Sequence, residues 1–521
     1  MRTLVLVSCV VSVVAVAAPP ERRPVVAFLP ASGKTPELSA LGWLIEARAS
    51  ELLESTGQYA EIHVKQALAM TSHEGLSLDT PAAAESARVL LGADRAVAIS
   101  IDEAGKGLSL TGTLAVAGGA PTSFSVAALP AAWSQALTQG SEAVAKAVLA
   151  LDKRALPKKS AQPESKSNDA LTALGSCYGT AMRQSLAVDA PVLFVGEELD
   201  AATEDCRKAF AADKGLKYAQ ATQALLQAVV GDDAEASATL KALGAGDGLE
   251  TATLARFWLV TRYQSNDAGV AVLRDAVKKT PGALILHAYL AETLATLGQH
   301  DKAVEALNAF LAIAPSSPWA HGRLSRALAR QGKHDDAIAA AAKGLELAPS
   351  SKEARLQLAS RYIDAGKLDE AVSALKPLTD TADASGEAMG RLGWAYWLKG
   401  NVDEAAKGFQ ASLDRSTNPG DWRTRGRALY NLAMVEAKRG KLEMAKINYK
   451  ASLSTGFKVA TVDPVLTPVV NALSGDAGAV AVAIPADRPK ENSLFPTDAS
   501  GAVDPTAKKP AAPAGLPPAK K

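Results

Sequence analysis

The segment GEAMGRLGWAYWLKGNVDEAAKGFQASL, residues 386–413, decides the fold of this chain. Its apolar residues recur at helical spacing on both sides of Gly400, which predicts two amphipathic helices joined by a turn. A glycine after a helix typically ends it in the left-handed conformation, which costs little without a Cβ atom. Ala405 falls where two helices cross closely and a larger side chain would hold them apart. The segment therefore predicts a helix–turn–helix hairpin.

The same pattern recurs every 34 residues towards the amino terminus. A proline follows each second helix, because a residue without an N–H group cannot continue the hydrogen-bond ladder. Hairpins that repeat in register predict a solenoid, in which each unit buries its apolar face against the next. The four series are Leu290, Leu324, Leu358 and Leu392; Gly298, Gly332, Gly366 and Gly400; Ala303, Ala337, Ala371 and Ala405; and Pro281, Pro315 and Pro349.

Residues 386–413 resemble a tetratricopeptide repeat, with Leu392-Gly393, Tyr396, Gly400, Ala405 and Phe409 in that family's places. Residues 318–349, 352–378 and 426–453 resemble further units, the last after six extra residues in the loop 416–421, and residues 250–281 resemble a degenerate one. The resemblance implies an all-α superhelix. Its concave face, lined by the first helices, would hold extended peptides or partner helices.

The family's groove positions, carried onto this chain, imply a protein-binding surface. Trp394 and Trp397 would either anchor a partner or pack between repeats. The arginines at 323, 326 and 330 would either pair with an acidic segment or form a solvated face. The chaperone-type carboxylate clamp is not reproduced, so recognition of a peptide carboxyl terminus is not expected. The implied groove residues are Glu292, Trp319, Arg323, Arg326, Arg330, Ser360, Asp364, Arg391, Trp394, Trp397, Tyr430, Asn431 and Lys438.

Residues 24–152 alternate between strand-like and helix-like patterns in the order β-α-β-α-β-β-β-α, which predicts an α/β domain. Residues 25–53 open with a strand, a Leu-Pro, a Ser-Gly turn and a long helix. With the helix and Leu-Gly-Ala step of residues 87–94, this segment resembles the amino-terminal domain of TolB-like envelope proteins. That resemblance implies an assembly role at the envelope without chemistry.

Residues 1–17 are typical of a secretory signal peptide, with Arg2 before an apolar run and small residues for cleavage near Ala17. We therefore expect an exported protein, periplasmic or associated with the outer membrane; a retained anchor is the alternative. Lipoprotein processing at Cys9 is disfavoured because the apolar run continues beyond it. The remaining divisions are a linker (153–168), a helical lead-in with degenerate repeats (169–249), the repeats (250–456), a capping helix (457–474) and a disordered tail (475–521).

Composition and motifs argue against several classes of function. The formal net charge of +1 disfavours a nucleic-acid binder. Gly33-Lys34-Thr35 lacks the earlier glycine of a phosphate-binding loop, and no metal-binding or nucleophile motif is present, so we expect no cofactor, metal or small-molecule substrate. After export two cysteines remain, Cys177 and Cys206, which would form either a disulfide or two buried thiols.

These observations predict a non-enzymatic exported scaffold or adaptor. Its partners would be proteins of a bacterial cell-envelope complex, for example one for secretion, pilus assembly, motility or lipoprotein assembly. Contact with the membrane would be indirect. The alternative is a regulatory or substrate-binding subunit of an envelope enzyme, such as one that remodels peptidoglycan.

Overall fold

A computed structural model gives the fold. It describes residues 23–71, 74, 76, 78, 83–156, 165–184, 192–195, 197–244, 250–418, 421–457, 461–474 and 490–493. The predicted signal peptide, Cys9, the middle of the linker and most of the tail lie outside the described residues. None of the described helices combines the length and the apolar character that crossing a bilayer requires.

The strands of the amino-terminal domain are β1 (Val25–Phe28), β2 (Ser32–Gly33), β3 (Ala60–Ile62), β4 (Arg95–Ala104), β5 (Gly107–Val116) and β6 (Thr122–Leu129). They form one sheet in the spatial order β3-β1-β4-β5-β6, with β2 paired to β4. Strands β3, β1 and β4 are parallel, whereas β4, β5 and β6 form an antiparallel meander. β1 lies inside the sheet and is wholly buried, while the edge strand β6 is largely exposed.

Four helices complete this domain: α1 (Pro36–Glu54), α2 (Val64–Thr71), α3 (Ala84–Leu91) and α4 (Trp133–Ala150). α1 and α4 pack together against the sheet. The hydroxyl of Thr35 caps α1 by accepting the N–H of Leu38 at 3.3 Å, so this residue of the Gly-Lys-Thr segment serves the start of a helix. The predicted α/β order is confirmed, with β2 and α2 as elements that the sequence pattern did not reveal.

Residues 168–243 lead into the repeats. They form α5 (Asn168–Gln184), β7 (Val192–Val195), α6 (Glu197–Ala212), α7 (Lys217–Val230) and α8 (Asp233–Leu243). The predicted helical lead-in did not include β7, which pairs antiparallel with β8 (Lys490–Ser493). β8 lies within the tail that the sequence predicts to be disordered. These two segments lie about 300 residues apart in sequence, so no local pattern could indicate their pairing.

Helical hairpins follow without a break, and each contacts the next. The first helices are α9 (Glu250–Tyr263), α11 (Leu284–Thr296), α13 (Pro318–Arg330), α15 (Lys352–Asp364), α17 (Gly386–Leu398) and α19 (Trp422–Lys438). The second helices are α10 (Asn266–Lys279), α12 (His300–Ile313), α14 (His334–Leu347), α16 (Leu368–Thr379), α18 (Val402–Arg415) and α20 (Leu442–Ser454). The closing helix is shorter than predicted: α21 (Thr467–Ser474) follows a 3-10 turn at Pro464–Leu466.

The periodic residues occupy the positions that the sequence predicts. The four glycines end the first helices with φ between 72° and 80°, in the left-handed region. The four alanines are completely buried between helices. A further series went unnoticed in the sequence: the hydroxyls of Ser317, Ser351 and Ser385 cap α13, α15 and α17. Each accepts the N–H three residues later, which satisfies one of the unpaired donors at a helix start.

The amino-terminal domain packs on the starts of three successive first helices. Glu61 of β3 forms a backbone bridge with Ala283, the residue before α11. Gly92 lies against Ser316, just before α13, so closely that a Cβ atom would be 1.7 Å from the Ser316 carbonyl oxygen. Glu74 contacts the start of α15 through its carboxylate. The domain is therefore docked along one edge of the first three well-formed repeats.

Candidate protein-binding groove

The first helices α11 to α19 carry all the residues that the sequence assigns to a groove. The structure buries six of these residues, leaves four half-buried and exposes three to solvent. The six buried residues are Glu292, Trp319, Arg323, Ser360, Tyr430 and Asn431. The four half-buried residues are Arg326, Arg391, Trp394 and Trp397, and the exposed ones are Arg330, Asp364 and Lys438.

An ion-pair cluster ties α11 to α13 at the amino-terminal end of this surface. The carboxylate of Glu292 contacts Nε of Arg323 at 3.0 Å and Nη2 of Arg326 at 2.7 Å. Glu292 and Arg323 are both buried, so each charge depends on the other. These side chains hold two repeats together, and only Arg326 keeps an accessible face.

Trp319 is buried beneath the amino-terminal domain. Its ring lies 5.5 Å from that of Phe310, and the guanidinium of Arg323 lies 5.6 Å from its centre. Met70 and Leu90 of the amino-terminal domain line the same cleft as Trp319 and Arg323. This end of the predicted groove is therefore closed by the chain's own domain.

Polar contacts between α15 and α17 continue the surface. Arg391 donates from Nη1 to the hydroxyl of Ser360 and from Nη2 to the carboxylate of Glu387. Asp364 forms an ion pair at 3.0 Å with Arg361, a residue outside the family's groove positions. Arg361 is absent from the predicted groove residues because the family's groove position corresponds to Ser360, one residue earlier.

The aromatic residues at the carboxyl-terminal end mainly join repeats. Trp394 and Trp397 are half-buried and pack against buried clusters that include residues of α19. Tyr430 contacts the rings of Tyr449 and Phe457, and its hydroxyl accepts the N–H of Asp463 at 2.8 Å. Tyr430 thus ties the segment before the closing helix to the last repeat.

Two of the histidines have a structural explanation. Nε2 of His287 lies 3.1 Å from the carbonyl oxygen of Pro281, and Nε2 of His321 lies 3.1 Å from that of Pro315. Arg355 makes the equivalent contact with Pro349 in the next repeat. Each side chain satisfies a carbonyl group left free where a second helix ends. Among the described residues no cluster of three or more His, Cys, Asp or Glu side chains could hold a metal ion.

Cys177 and Cys206 join α5 to α6. The structure pairs their sulfur atoms in a disulfide, with Cα atoms 5.1 Å apart, and both residues are completely buried. The bond lies in the lead-in helices, away from the groove residues. Its place indicates a role in holding α5 against α6.

Family models identify the hairpins. Two models described as tetratricopeptide repeat match the chain, one at residues 263–318 and 356–420 and the other at residues 297–362. The chain carries tetratricopeptide repeats. The repeats seen in the structure extend beyond the matched residues, since α9 and α20 continue the same hairpin pattern at either end.

Several solved structures resemble parts of the chain. Two of the three described here are tetratricopeptide repeat proteins. One from Parabacteroides merdae is 14% identical, with a TM-score of 0.38, and covers 58% of this chain and 100% of its own. PilW, described as a widely conserved type IV pilus biogenesis factor, is 21% identical, with a TM-score of 0.33, and covers 42% and 98%. A thermophilic repeat protein of Thermus thermophilus is 23% identical, with a TM-score of 0.29, and covers 39% and 98%. A search among curated proteins gives no match.

Proposed function

We propose that this chain is an exported, non-enzymatic scaffold whose tetratricopeptide repeats hold protein partners in a bacterial cell-envelope complex. The observation that carries the proposal is the run of first helices α15, α17 and α19. They present exposed charged residues, including Asp364 and Lys438, beside half-buried tryptophans. A polar, partly aromatic surface on a rigid stack suits protein recognition.

The amino-terminal domain, which is docked at the amino-terminal end of the repeat stack, also supports this proposal. It covers the starts of α11, α13 and α15, which lie towards the amino-terminal end of the stack. A partner would therefore bind towards the carboxyl-terminal repeats. The resemblance of residues 25–53 to TolB-like domains is part of the same proposal, and it assigns the domain an assembly role. The signal-like pattern of residues 1–17 supports export.

Proximity labelling in the native bacterium tests the proposal, with the labelling enzyme fused to the carboxyl terminus. We expect several exported proteins of one envelope assembly to be labelled. The double substitution Asp364→Lys and Lys438→Glu, which reverses two exposed groove charges, should abolish this labelling. The matched control, Lys343→Glu and Lys407→Glu, alters exposed lysines on the second helices α14 and α18 and should leave it unchanged.

Three results would count against the proposal. Labelling confined to cytoplasmic proteins would contradict export. Equal labelling by the groove variant and the control would show that the interface lies outside the groove. Recovery of one envelope enzyme, with its activity altered by the purified chain, would favour the regulatory-subunit alternative.

A further inference from the structure

Arginines succeed one another across the first helices from α13 to α19. Arg326 and Arg330 lie on α13, Arg361 on α15, Arg391 on α17 and Arg427 on α19. Besides burial, the positive charges of Arg326, Arg330 and Arg391 help to lower the pKa of Arg361. The charge of Arg391 likewise helps to lower the pKa of Arg427. These five residues, here called the arginine stripe, form one continuous electrostatic unit across four repeats.

Arg361 occupies the centre of the stripe and is only 8% exposed. Its Nη2 atom pairs with Asp364 at 3.0 Å, but its buried Nε and Nη1 atoms have no hydrogen-bond partner among the described residues. Burial, together with the neighbouring arginines, lowers the pKa of this guanidinium to about 10. A buried cation with unsatisfied donors is costly unless an acceptor is supplied.

The stripe holds more positive charge than its own carboxylates neutralise. Glu292 pairs with Arg326, Asp364 with Arg361 and Glu387 with Arg391. Arg330 and Arg427 are exposed, and within the described part of the chain neither forms an ion pair. The charge of Glu387 acts on Arg427, but this carboxylate already pairs with Arg391. The uncompensated charge therefore lies at both ends of the stripe, with the under-satisfied Arg361 between them.

We propose that the arginine stripe binds an acidic polypeptide segment, whose carboxylates span Arg330, Arg361, Arg391 and Arg427. This inference rests on the proposed scaffold function and names the chemistry of the partner. Asp364 is exposed to solvent. A modest rotation of the Arg361 side chain away from Asp364 would turn the unpaired Nε and Nη1 donors of Arg361 towards an incoming carboxylate. Guanidinium groups bind carboxylates through paired, charge-assisted hydrogen bonds, which gives the contact both strength and direction.

The geometry also indicates the spacing of the acidic residues. Packed helices lie about 8–10 Å apart, which sets the step between neighbouring arginines of the stripe. An extended chain advances about 3.3 Å per residue, so a carboxylate at roughly every third position would meet one arginine per repeat. A polypeptide is favoured over a nucleic acid because the whole chain has a net charge of only +1 and half-buried tryptophans adjoin the stripe.

Fluorescence anisotropy with the full-length purified chain tests this inference. The probe is a labelled peptide with glutamate at every third position in an alanine–serine background. The comparison probes are the same peptide with glutamine, one with its glutamates clustered, and a single-stranded DNA of equal charge. We expect the evenly spaced glutamate peptide to bind at least about tenfold more tightly than the glutamine peptide, because the charged hydrogen bonds are lost in the latter. Added salt should weaken that binding.

The variants isolate the stripe. Arg330→Gln with Arg427→Gln removes only exposed cations and should weaken peptide binding about tenfold, since two charged contacts are lost. Lys343→Gln with Lys407→Gln removes two exposed cations from the second helices and should leave binding unchanged. Arg361→Met should abolish peptide binding, provided that its circular dichroism spectrum matches that of the parent. If Arg361→Met unfolds, the double variant Arg330→Gln with Arg427→Gln tests the inference by itself.

Three outcomes would overturn acid recognition: equal binding of the glutamine peptide, unchanged binding by the exposed-arginine variant, or tighter binding of the DNA. The proposed function would survive any of them if the chain still labels envelope proteins in the cell. If the peptide binds but no exported protein is labelled, the proposed function fails and acid recognition stands.

Discussion

The carboxylate of Glu74 accepts a hydrogen bond from the hydroxyl of Ser351 at 2.5 Å. The same carboxylate accepts the backbone N–H groups of Lys352 at 2.8 Å and Glu353 at 3.2 Å. Ser351 is itself the N-cap of α15. An acidic residue of one domain thus completes the helix start of another, where the helix dipole favours a negative charge.

Replacing this carboxylate should weaken the contact between the domains. Glu74→Gln keeps the size of the side chain but removes its charge, and we expect a loss of about 1 kcal/mol in the free energy of unfolding. Urea denaturation measures the change. The control is Glu103→Gln, an exposed carboxylate on β4. If the two variants unfold at the same urea concentration, the Glu74 contact contributes nothing to docking.

Gly400 tests the assignment of the repeat turns. Its φ is +80°, but a Cβ atom there would meet nothing within 4 Å, so the cost of a side chain comes from the backbone alone. Gly400→Val should lower the free energy of unfolding by roughly 1–2 kcal/mol. Gly400→Asn should cost distinctly less, because asparagine tolerates the left-handed region. Equal melting temperatures for the two variants would show that the turn adopts another conformation.

The sequence predicts the repeats well because their determinants are local. Gly400 ends its helix and Ala405 fits its helix crossing whatever the rest of the chain does, so the 34-residue period is sufficient evidence. The docking of the amino-terminal domain could not be predicted in this way. Glu74 and Ser351 are 277 residues apart, and nothing near either residue indicates the other.

The groove was only partly predictable for the same reason. The family's positions identify which residues lie on the first helices, but not which of them the neighbouring repeat or the amino-terminal domain buries. Trp319 satisfies the pattern and is nevertheless covered. Arg361 lies one residue away from the pattern and has the least satisfied guanidinium of the stripe. Burial and missing hydrogen bonds are properties of the assembled structure.

Because Trp397 packs between repeats, we expect the loss of its side chain to lower the stability of the fold more than it weakens partner binding. Its ring packs against a buried cluster on α18 and α19 that consists of Ala405, Phe409, Leu432 and Val435. Trp397→Ala should cost about 2–4 kcal/mol, somewhat less than a fully buried tryptophan, and should loosen the last repeats. Leu398→Ala, which removes a 45% exposed side chain next to it, should cost little. Equal costs in thermal denaturation would show that Trp397 is free to face a partner.

His287 should make the repeats sensitive to acid. Burial lowers its pKa from 6.5, partly offset by the hydrogen bond to Pro281, so the folded state favours the neutral ring. Its contribution to stability is present above pH 6.5 and is lost as the pH falls through the lowered value. His287→Gln retains a donor for the carbonyl group but cannot titrate. Urea denaturation at pH 7.5 and pH 5 should therefore show a smaller loss for this variant than for the parent; an identical loss would exclude His287 as the cause.

Glu61 should change stability in the opposite direction to His287: it should stabilise the fold at low pH and destabilise it as the pH rises. Its Oε1 atom is buried without a hydrogen-bond partner among the described residues. A hydrogen bond between the carboxyl group and Ser50 favours the ionised form, but burial outweighs it, and Glu54, Glu250 and Glu51 add unfavourable charge. Burial, with these carboxylates, raises the pKa of Glu61 from 4.5 to about 8. The acid is therefore neutral in the folded protein at pH 7 but ionised after unfolding. Its contribution to stability is complete below pH 4.5 and is lost as the pH rises to 8.

The substitution Glu61→Gln removes this titration while keeping the shape of the side chain. We expect the variant to gain stability over the parent as the pH rises from 5 to 8.5, by roughly 1–3 kcal/mol in all. Urea denaturation at pH 5, 7 and 8.5 measures the difference, and Glu103→Gln, on the exposed part of β4, should follow the parent throughout. Because Glu61 forms the backbone bridge to Ala283, the gain should be accompanied by slower proteolysis at the junction of the two domains. Parallel pH profiles for Glu61→Gln and the parent would mean that the carboxylate is solvated and that the junction is open at this point.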